Sequence, residues 1–291
     1  MIATFGSINA DLIYLVDEMP QAGQTVLAHG SRTEAGGKGA NQALAAARDG
    51  ANVVMIGAVG NDAMAPIALQ NLEREVDISR VAQSEKPTGS AAIMIDADGR
   101  NMIAVAAGAN LAAQSDGVED ELLNNASYVL MQMENDALQI ENLIRRVSNH
   151  SAKSILNLAP AHQLDRDLLS LVDIVIVNED EAEALARWIG CEATARSLSE
   201  ALETGVLRTM GGEGAEAFID GERVTVAALR VNAVDTTAAG DCFVGVLASA
   251  LDRGLSLEAA MRRAAKAAAI ACSRPGSQSS IPHRSETDSW T

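Results

Sequence analysis

Short β-branched, apolar runs alternate along the chain with longer Ala-rich stretches of helical character. Several of the short runs are apolar without alternation, which is typical of strands covered on both faces. The predicted core strands are Ile2–Phe5, Val53–Ile56, Tyr128–Met131, Ser154–Leu158, Ile174–Val177, Val206–Thr209 and Ala215–Ile219. The predicted helices lie near Gly39–Asp49, Met64–Glu75, Ala137–Asn149, Asp180–Trp188, Ala239–Leu251 and Leu257–Ala271. This alternation predicts an α/β fold with a doubly wound, mainly parallel sheet flanked by helices.

Two stretches depart from the alternation and predict a second, smaller sheet. Leu12–Val16 and Val26–Ser31 have the pattern of short strands with no helix between them. Gly89–Ile95 and Asn101–Ala106 flank Asp96-Ala97-Asp98-Gly99, whose Asp-Gly step favours a hairpin. These strands could form a lid that leaves the main domain and rejoins it. The alternative is a set of edge hairpins lying on the main sheet.

The domain organisation follows from these elements. We expect a single domain over residues 1–291, with the lid strands inserted at about residues 12–32 and 88–107. The polar residues 285–291 predict a frayed tail, since chain ends with little to pack are commonly disordered.

Composition narrows the possible partners. Hydrophobic residues make up 48% of the chain and aromatic residues only 2%, so the core must be built from Ala, Val, Ile, Leu and Met. The net charge of −17 argues against a nucleic acid or an anionic membrane as partner, because both require a positive field. A nucleotide ligand is still allowed, because backbone N–H groups can hold phosphate inside an acidic protein.

The cysteines and the N-terminus bear on the compartment. Cys191, Cys242 and Cys272 form no C-x-x-C pair, so a disulfide framework or a zinc site is not expected and a reducing environment fits better. Met1–Gly6 lacks the basic and apolar regions of a signal peptide. No charge-free apolar run approaches the roughly 18 residues of a membrane span. We therefore expect a cytoplasmic protein.

The segment most suggestive of chemistry is Asp235-Thr236-Thr237-Ala238-Ala239-Gly240-Asp241-Cys242-Phe243, between an extended stretch and an apolar helix. The first N–H groups of a helix lack internal partners and lie at the positive end of its dipole. The small residues Ala238, Ala239 and Gly240 would let a phosphate approach those groups closely. Asp241 would repel a phosphate, but it could take the proton of a hydroxyl that attacks one. An acid that only caps the helix is the other interpretation.

Two further segments could bind a polar ligand. Gly36-Gly37-Lys38-Gly39-Ala40-Asn41-Gln42 has neither the P-loop spacing nor the glycine pattern of dinucleotide binding, but its glycines allow close backbone approach. Ser7-Ile8-Asn9-Ala10-Asp11 directly follows the first strand, where ligands gather in open α/β sheets. Asn9 and Asp11 suit neighbouring sugar hydroxyls. Taken alone, the first segment is explained by a plain loop and the second by an Asx turn.

Acidic and glycine-rich segments follow other predicted strands. Asn178-Glu179-Asp180-Glu181 could hold Mg²⁺ through water, or it could simply complement a helix dipole. Glu134 is an acid at the end of another strand. Thr209-Met210-Gly211-Gly212-Glu213-Gly214 predicts a tight turn that could expose N–H groups to a nucleotide, although an ordinary hairpin explains it equally well.

Together these motifs resemble those of the ribokinase (PfkB carbohydrate kinase) family over nearly the whole chain. Gly36–Ala43 looks like the family's N-terminal signature, and Asp235–Asp241 looks like its C-terminal signature. Their joint presence in this order and at this separation is highly specific. The resemblance implies that the chain transfers the γ-phosphate of ATP, with Mg²⁺, to the primary hydroxyl of a small sugar. Gly6–Asp11, Gly108–Asn110 and Asn157–Pro160 resemble the ribose-specific branch, so D-ribose, giving ribose 5-phosphate, is the expected substrate.

The resemblance also implies roles for individual residues. Asp241 should be the base, and the N–H groups of Ala238, Ala239 and Gly240 should form the anion hole for the transferring phosphoryl group. Asn178 and Glu181 match the family's N-x-x-E element, which is linked to phosphate and Mg²⁺. The implied sugar contacts are Asn9, Asp11, Gly37, Lys38, Gly39, Ala40, Asn41, Glu134 and Asp241. The implied nucleotide contacts are Asn178, Thr209, Gly211, Gly212, Glu213, Gly214, Gly240 and Asp241.

A monovalent cation and a partner subunit are implied as well. Members of the family carry a potassium site beside the anion hole, and potassium is the expected activator. The implied ligands are Asp235, Thr237, Ala271, Arg274, Gly276 and Ser280, most of them through backbone carbonyls. Lid strands in such folds often pair across a twofold axis to cover their exposed edges, so we expect a homodimer through the lid.

Some positions depart from the family pattern, and the substrate has alternatives. Leu158 stands where the family's Asn-Pro-Ala-Pro segment has its first proline. Ala265 occupies a helix position that often offers a polar side chain near adenine, which leaves the nucleotide preference open. Another furanose of the fructose type, or a nucleoside, would use the same phosphoryl machinery. A non-catalytic sugar sensor is the remote alternative, and the intact Asp241 argues against it because a sensor needs no base.

Overall fold

The elements are described from a computed structural model, which covers residues 1–98 and 100–290. Its strands are β1 (Ile2–Phe5), β2 (Asn9–Val16), β3 (Ala28–Gly36), β4 (Val53–Gly60), β5 (Asp77–Ser84), β6 (Gly89–Ile95), β7 (Asn101–Ala106), β8 (Tyr128–Met131), β9 (Lys153–Asn157), β10 (Ile174–Val177), β11 (Gly205–Thr209), β12 (Ala215–Ile219) and β13 (Glu222–Val226). Its α-helices are α1 (Lys38–Arg48), α2 (Ala65–Leu69), α3 (Leu72–Glu75), α4 (Asp120–Asn125), α5 (Ala137–Val147), α6 (Arg166–Leu169), α7 (Glu179–Ile189), α8 (Ala195–Leu202), α9 (Ala239–Asp252), α10 (Leu257–Cys272) and α11 (Arg284–Ser289).

The main sheet has nine strands in the order β13-β12-β11-β10-β9-β8-β1-β4-β5. The strands from β11 to β5 run parallel, whereas β12 and β13 are added antiparallel at one edge. The carboxyl ends of the parallel strands therefore lie along one edge of the sheet, where ligands bind in folds of this kind. The predicted α/β fold is confirmed.

Alternate residues of the central strands supply two cores, one on each face of the sheet. Ile2 and Leu130 pack with α1, α9 and α10 on one face. Ala3 and Val129 pack with α4, α5, α7 and α8 on the other face. Burial on both faces is the reason why these strands are continuously apolar in sequence.

A second sheet of four strands, in the order β3-β2-β6-β7, forms the predicted lid. Strands β2 and β6 pair in parallel, and the outer pairs are antiparallel. Strand β2 begins at Asn9 rather than Leu12, and β3 runs to Gly36, so both strands extend further toward the main sheet than expected. Asn9 and Asp11 therefore lie on a lid strand. In the predicted β6–β7 hairpin, Ile95 pairs with Asn101, and Gly99 lies outside the described residues.

The differences from prediction are mostly at the periphery. Strands β5 and β13 were not predicted, because they are sheet edges that mix exposed polar residues with half-buried apolar ones. The helix predicted over Met64–Glu75 is two short helices, α2 and α3. Within the described residues, no helix has the length and apolar character needed to span a membrane.

The expectation of a frayed tail over residues 285–291 is wrong for the part that the structure describes. Helix α11 occupies Arg284–Ser289 and begins with a capping box, in which the Glu286 carboxylate accepts from the His283 N–H at 2.8 Å. Arg263 of α10 holds Asp288 at 2.6 Å, and Arg274 holds Glu286 at 2.7 Å. These ion pairs, together with burial of Thr287, hold the segment against α10. Thr291 lies outside the described residues.

Candidate active site

The predicted base, Asp241, lies in the first turn of α9 and is buried. Both of its carboxylate oxygens accept hydrogen bonds from amides of α1: Oδ2 from Asn41 Nδ2 and Oδ1 from Gln42 Nε2, each at 3.0 Å. The carboxylate is thus held in one orientation where the N-termini of two helices meet. Asn41, predicted as a sugar contact, binds Asp241 through its nitrogen, while its buried Oδ1 has no partner among the described residues.

The residues predicted to form the anion hole lie at the same helix start. Ala238, the N-cap of α9, has φ 60°, in the left-handed region that residues with a Cβ rarely adopt. Of the predicted amide donors, the Ala239 N–H donates to the Thr236 carbonyl at 3.2 Å. Among the described residues the N–H groups of Gly240 and Asp241 have no acceptor, as expected for a first turn. The donors available to an anion are therefore centred on Gly240 rather than on Ala239.

These groups line a cleft of about 210 Å³ at the carboxyl edge of the sheet. The cleft brings together the start of α9, the start of α1 and the ends of β9, β10 and β11. Its lining residues are Lys38, Asn157, Ala159, Ile176, Asn178, Glu181, Thr209, Thr236, Ala238, Gly240, Asp241 and Val244. The glycine turn at Gly211–Gly214, predicted to meet the nucleotide, follows β11 but does not line this cleft.

Helix α1 can start beside the lid because of Gly37. This residue caps the helix with φ 90°, and a Cβ there would lie 2.8 Å from both the Asn9 amide nitrogen and the Ser7 carbonyl oxygen. A glycine is needed on both counts. The close approach places Lys38, Gly39 and Ala40 against the segment that follows β1, with the Ala40 N–H donating to Ser7 O at 2.9 Å.

The predicted sugar contact Asp11 lies on the lid side of the cleft, near other carboxylates. Asp11 is only 6% exposed, and burial, reinforced by the charges of Glu134, Asp241 and Glu34, raises its pKa to about 7. Its Oδ1 is buried without a partner among the described residues. Such an unpartnered buried acceptor is costly, and a ligand hydroxyl would satisfy it.

The side chains of two other predicted sugar contacts already accept hydrogen bonds from other residues of the protein. Asn9 Oδ1 accepts from Asn110 Nδ2 at 2.7 Å. Glu134 Oε2 accepts from Ser7 Oγ at 2.6 Å and from the Lys38 N–H at 3.3 Å. Ser7 therefore ties the segment after β1 to Glu134, in the loop that follows β8. It was not predicted as a site residue, because a serine in a loop carries no recognisable pattern.

Lys38 is the basic residue among those that line the cleft. Burial acts to lower its pKa, but the carboxylates of Asp241, Glu134, Glu181 and Asp11 outweigh burial, and the pKa is raised. The side chain is therefore cationic, and it offers a positive charge to a phosphate or to a polar substrate in a pocket otherwise rich in acids.

The Asn178–Glu181 element forms a capping box at the start of α7. The Asn178 side chain accepts from the Glu181 N–H, and Glu181 Oε2 accepts from the Asn178 N–H, both at 2.8 Å. Burial raises the pKa of Glu181, opposed by that N–H and by Lys38. The helix-capping and ligand-binding interpretations are thus compatible, since the capped acid also lines the cleft.

The donors in the cleft fit Mg²⁺ only through water and phosphate. Glu181 and Asp241 supply hard oxygen atoms, but no group of three or more His, Cys, Asp or Glu residues within the described chain could chelate a metal directly. Mg²⁺ commonly keeps several waters and is held by one or two carboxylates together with substrate phosphates.

The residues predicted to hold potassium lie on two segments that meet beside the anion hole. Asp235 accepts from the Thr237 N–H at 2.9 Å and from the Gly276 N–H at 3.0 Å, and the Asp235 N–H donates to Cys272 O at 3.2 Å. Each carboxylate oxygen of Asp235 thus accepts one N–H and keeps a lone pair that could face a cation. Ala271 O already accepts from the Arg274 N–H at 3.1 Å, and Ser280 Oγ donates to Ser277 O at 2.7 Å.

Comparison with known proteins agrees with this geometry. The family model described as pfkB family carbohydrate kinase matches residues 1–284. The chain belongs to the pfkB carbohydrate kinase family. A family member with this cleft is an ATP-dependent sugar kinase, as the sequence predicted.

Curated relatives of similar length support the family assignment. The ribokinase of Schizosaccharomyces pombe is 34% identical over 99% of this chain and 96% of its own length. The ribokinase of Haemophilus influenzae is 34% identical over 98% of this chain and 96% of its own length. The deoxyribokinase of Salmonella typhimurium is also 34% identical, over 97% of this chain and 95% of its own length.

Solved structures show the same fold. The ribokinase of Thermotoga maritima superposes with a TM-score of 0.90 at 30% identity, covering 99% of this chain and 98% of its own. The ribokinase of Arabidopsis thaliana, complexed with ribose and ATP, gives a TM-score of 0.88 at 30% identity, covering 98% and 96%. This pfkB kinase thus shares both the main sheet and the lid with those enzymes.

Proposed function

We propose that this kinase phosphorylates D-ribose at its primary hydroxyl with ATP, giving ribose 5-phosphate. The observation that carries the proposal is the buried Asp241 carboxylate, held by amides of Asn41 and Gln42 beside the free N–H groups at the start of α9. That arrangement suits a base facing an anion site. Ribose is favoured by the ribokinases of fungi and bacteria that align over nearly the whole chain, and by the Arabidopsis enzyme complexed with ribose and ATP.

The chain's own residues account for the transfer step. Asp241 accepts the proton of the sugar hydroxyl as that oxygen attacks the γ-phosphorus in line. The N–H groups at Gly240 and Asp241, with the cationic Lys38, stabilise the negative charge on the transferring group. Mg²⁺ bound with the nucleotide neutralises phosphate charge, and Glu181 is the residue placed to hold it through water. The lid closes over the sugar and excludes water.

The sugar contacts belong to the proposal as well. Asn9, Asp11, Lys38, Asn41 and Glu134 bind the hydroxyls, with the backbone at Gly37, Gly39 and Ala40 in close contact. The oxygens Asp11 Oδ1 and Asn41 Oδ1 support this role, because each is a buried acceptor to which no donor among the described residues is bonded. The nucleotide lies across Asn178 and Thr209 toward the Gly211–Gly214 turn, which includes Glu213.

A second substrate, 2-deoxyribose, is favoured by a specific observation. The deoxyribokinase of Salmonella typhimurium is as similar to this chain as the curated ribokinases are. The two sugars differ by one hydroxyl, and a site built to bond that hydroxyl would reject the sugar that lacks it. The ratio of kcat/KM for ribose and 2-deoxyribose decides between them.

The potassium site, the dimer and the compartment complete the proposal. Potassium binds at the backbone carbonyls around Asp235, Thr237, Ala271, Arg274, Gly276 and Ser280. The lid pairs with the lid of a second copy, supported by the exposed edge strand β7 with Met102, Ile103 and Val105 about half exposed. The enzyme works in a reducing cytoplasm, consistent with the unpaired thiols of Cys191, Cys242 and Cys272.

The test is an ADP-release assay with ribose, 2-deoxyribose, fructose and nucleosides, in potassium and in sodium. We expect turnover with ribose and a higher rate in potassium. Asp241→Asn should lower kcat roughly 10²–10⁴-fold, since that is the usual contribution of a general base, and ribose binding by calorimetry should persist. Normal turnover by this variant would exclude Asp241 as the base. Binding of ribose without any ADP release by the wild type would favour the sugar sensor.

A further inference from the structure

Gln42 connects the base to the ends of two strands. This residue of α1 has no exposed surface, and it was not among the predicted site residues. Its Nε2 donates to Asp241 Oδ1 and to Asn157 Oδ1 at 3.0 Å each. Its Oε1 accepts from Gln132 Nε2 at 2.7 Å. One amide therefore joins α9, the end of β9 and the residue that follows β8.

The direction in which the Gln42 amide points is set by two acceptors, the Asp241 carboxylate and Asn157 Oδ1. Asn157 is itself oriented by the bond from its Nδ2 to Ile176 O at 3.3 Å, so the Gln42 N–H groups face these two acceptors and Gln42 Oε1 faces the Gln132 N–H group. The reversed amide would place a carbonyl oxygen against a carboxylate, which is repulsive. Gly6 makes room for this contact, because a Cβ at that position would lie 2.1 Å from Gln132 Oε1.

The charges around Asp241 explain why such a restraint is needed. Lys38 on α1, Asp11 on β2, Glu181 on α7 and the Cys242 thiol next in sequence all interact with the Asp241 charge. A carboxylate free to rotate would turn toward the Lys38 cation and pair with it. Two neutral amide donors instead hold it in place and leave its remaining lone pairs free to accept a proton.

We propose that Gln42 is a positioning residue that aims the Asp241 carboxylate at the sugar hydroxyl, with Asp241 and Asn157 setting the direction of its amide and the Gln132 N–H group satisfying its oxygen. This role rests on the proposed function, in which Asp241 is the base. Gln42 is fully buried and, unlike its partners Asp241 and Asn157, does not line the cleft. Its loss should therefore appear in kcat rather than in the KM for sugar.

Two variants of near-equal size test the role. Gln42→Met removes the amide without adding charge, and kcat should fall about tenfold or more with little change in sugar KM. Gln42→Glu keeps the acceptor for Gln132 but places a second acid beside Asp241. For this variant, the pH profile of kcat should be measured at saturating sugar. The acid limb of that profile should move to higher pH by about one unit or more. The matched control is Gln139→Glu, a partly buried glutamine of α5 that bonds Ser115, which should behave as wild type.

A crystal structure of sugar-free Gln42→Met gives a readout independent of turnover. We expect the Asp241 carboxylate to rotate away from its present plane, toward Lys38, in a protein with an otherwise unchanged cleft. An unmoved carboxylate, wild-type kcat in Gln42→Met, or an unshifted acid limb in folded Gln42→Glu would each overturn the proposal. Loss of the proposed function itself is a different outcome, in which the wild type fails to phosphorylate any sugar while the variant structure still reports on the carboxylate.

Discussion

Replacing Asp11 by asparagine should stabilise the sugar-free enzyme above pH 7 and abolish sugar binding in the same protein. Burial together with the nearby carboxylates raises the pKa of Asp11 from 3.8 to about 7 in the folded chain. In the unfolded chain the pKa is close to its ordinary value. Between these two values the folded state binds more protons than the unfolded state, so stability falls as the pH rises through this window.

The size of the effect follows from the shift. A difference of about 3 pKa units corresponds to an upper limit of about 4 kcal/mol above pH 7. Relaxation and water entry lower the penalty of a buried charge, so we expect a gain of about 1–3 kcal/mol for the neutral variant. The difference between Asp11→Asn and wild type should be smallest near pH 4, grow through pH 5 and 6, and level off above pH 7.

Urea unfolding at several pH values between 5 and 8, with and without ribose, measures both effects. Ribose at 100 times its dissociation constant should stabilise the wild type by about 2.7 kcal/mol and leave Asp11→Asn unchanged. The control is Asp62→Asn. Hydrogen bonds from the backbone and side chain of Thr88 lower the pKa of Asp62, so this substitution should destabilise the protein at neutral pH.

Two results would refute the reasoning on Asp11. If the stability difference between Asp11→Asn and wild type were constant from pH 5 to pH 8, the pKa of the Asp11 carboxyl would not be raised in the folded protein. If ribose stabilised the variant as much as the wild type, Asp11 would not be a sugar contact, whatever its pKa.

Two further predictions concern the anion hole and the lid. A Cβ at Gly240 would meet no atom within 4 Å in the free protein, so Gly240→Ala should fold with undiminished thermal stability. Its kcat should still fall at least about tenfold, because the methyl group crowds the phosphoryl site. An unchanged kcat would show that Gly240 is not part of the anion hole. Ile103→Lys on edge strand β7 should convert the expected dimer to a monomer in light scattering, since a lysine on an edge opposes strand pairing. A wild type already monomeric, or a variant still dimeric, would rule out this interface.

Much of the fold could be predicted from the sequence because the patterns that determine it are local. Continuously apolar runs such as Ile174–Val177 are buried on both faces, and their pattern predicts a central parallel strand. The edge strands β5 and β13 were missed because exposed edges carry no such pattern. Helix α11 was missed for a related reason. Its sequence is polar, and it is fastened by Arg263 and Arg274, which lie outside the segment.

For the active site, the sequence determined which groups are present, and only the tertiary structure decided how they act on one another. The segments around Lys38 and Asp241 are short and contiguous, and each starts a helix, so their residue types allow a phosphate cleft and a base. The resemblance to the family then selected these interpretations over a plain loop and a helix cap. The bond from Gln42 to Asp241 joins residues 199 positions apart, and the raised pKa of Asp11 depends on acids from other segments. Hydrogen bonds and charge interactions act over a few ångströms in space. Which groups become partners in these interactions is therefore decided only when the chain has folded.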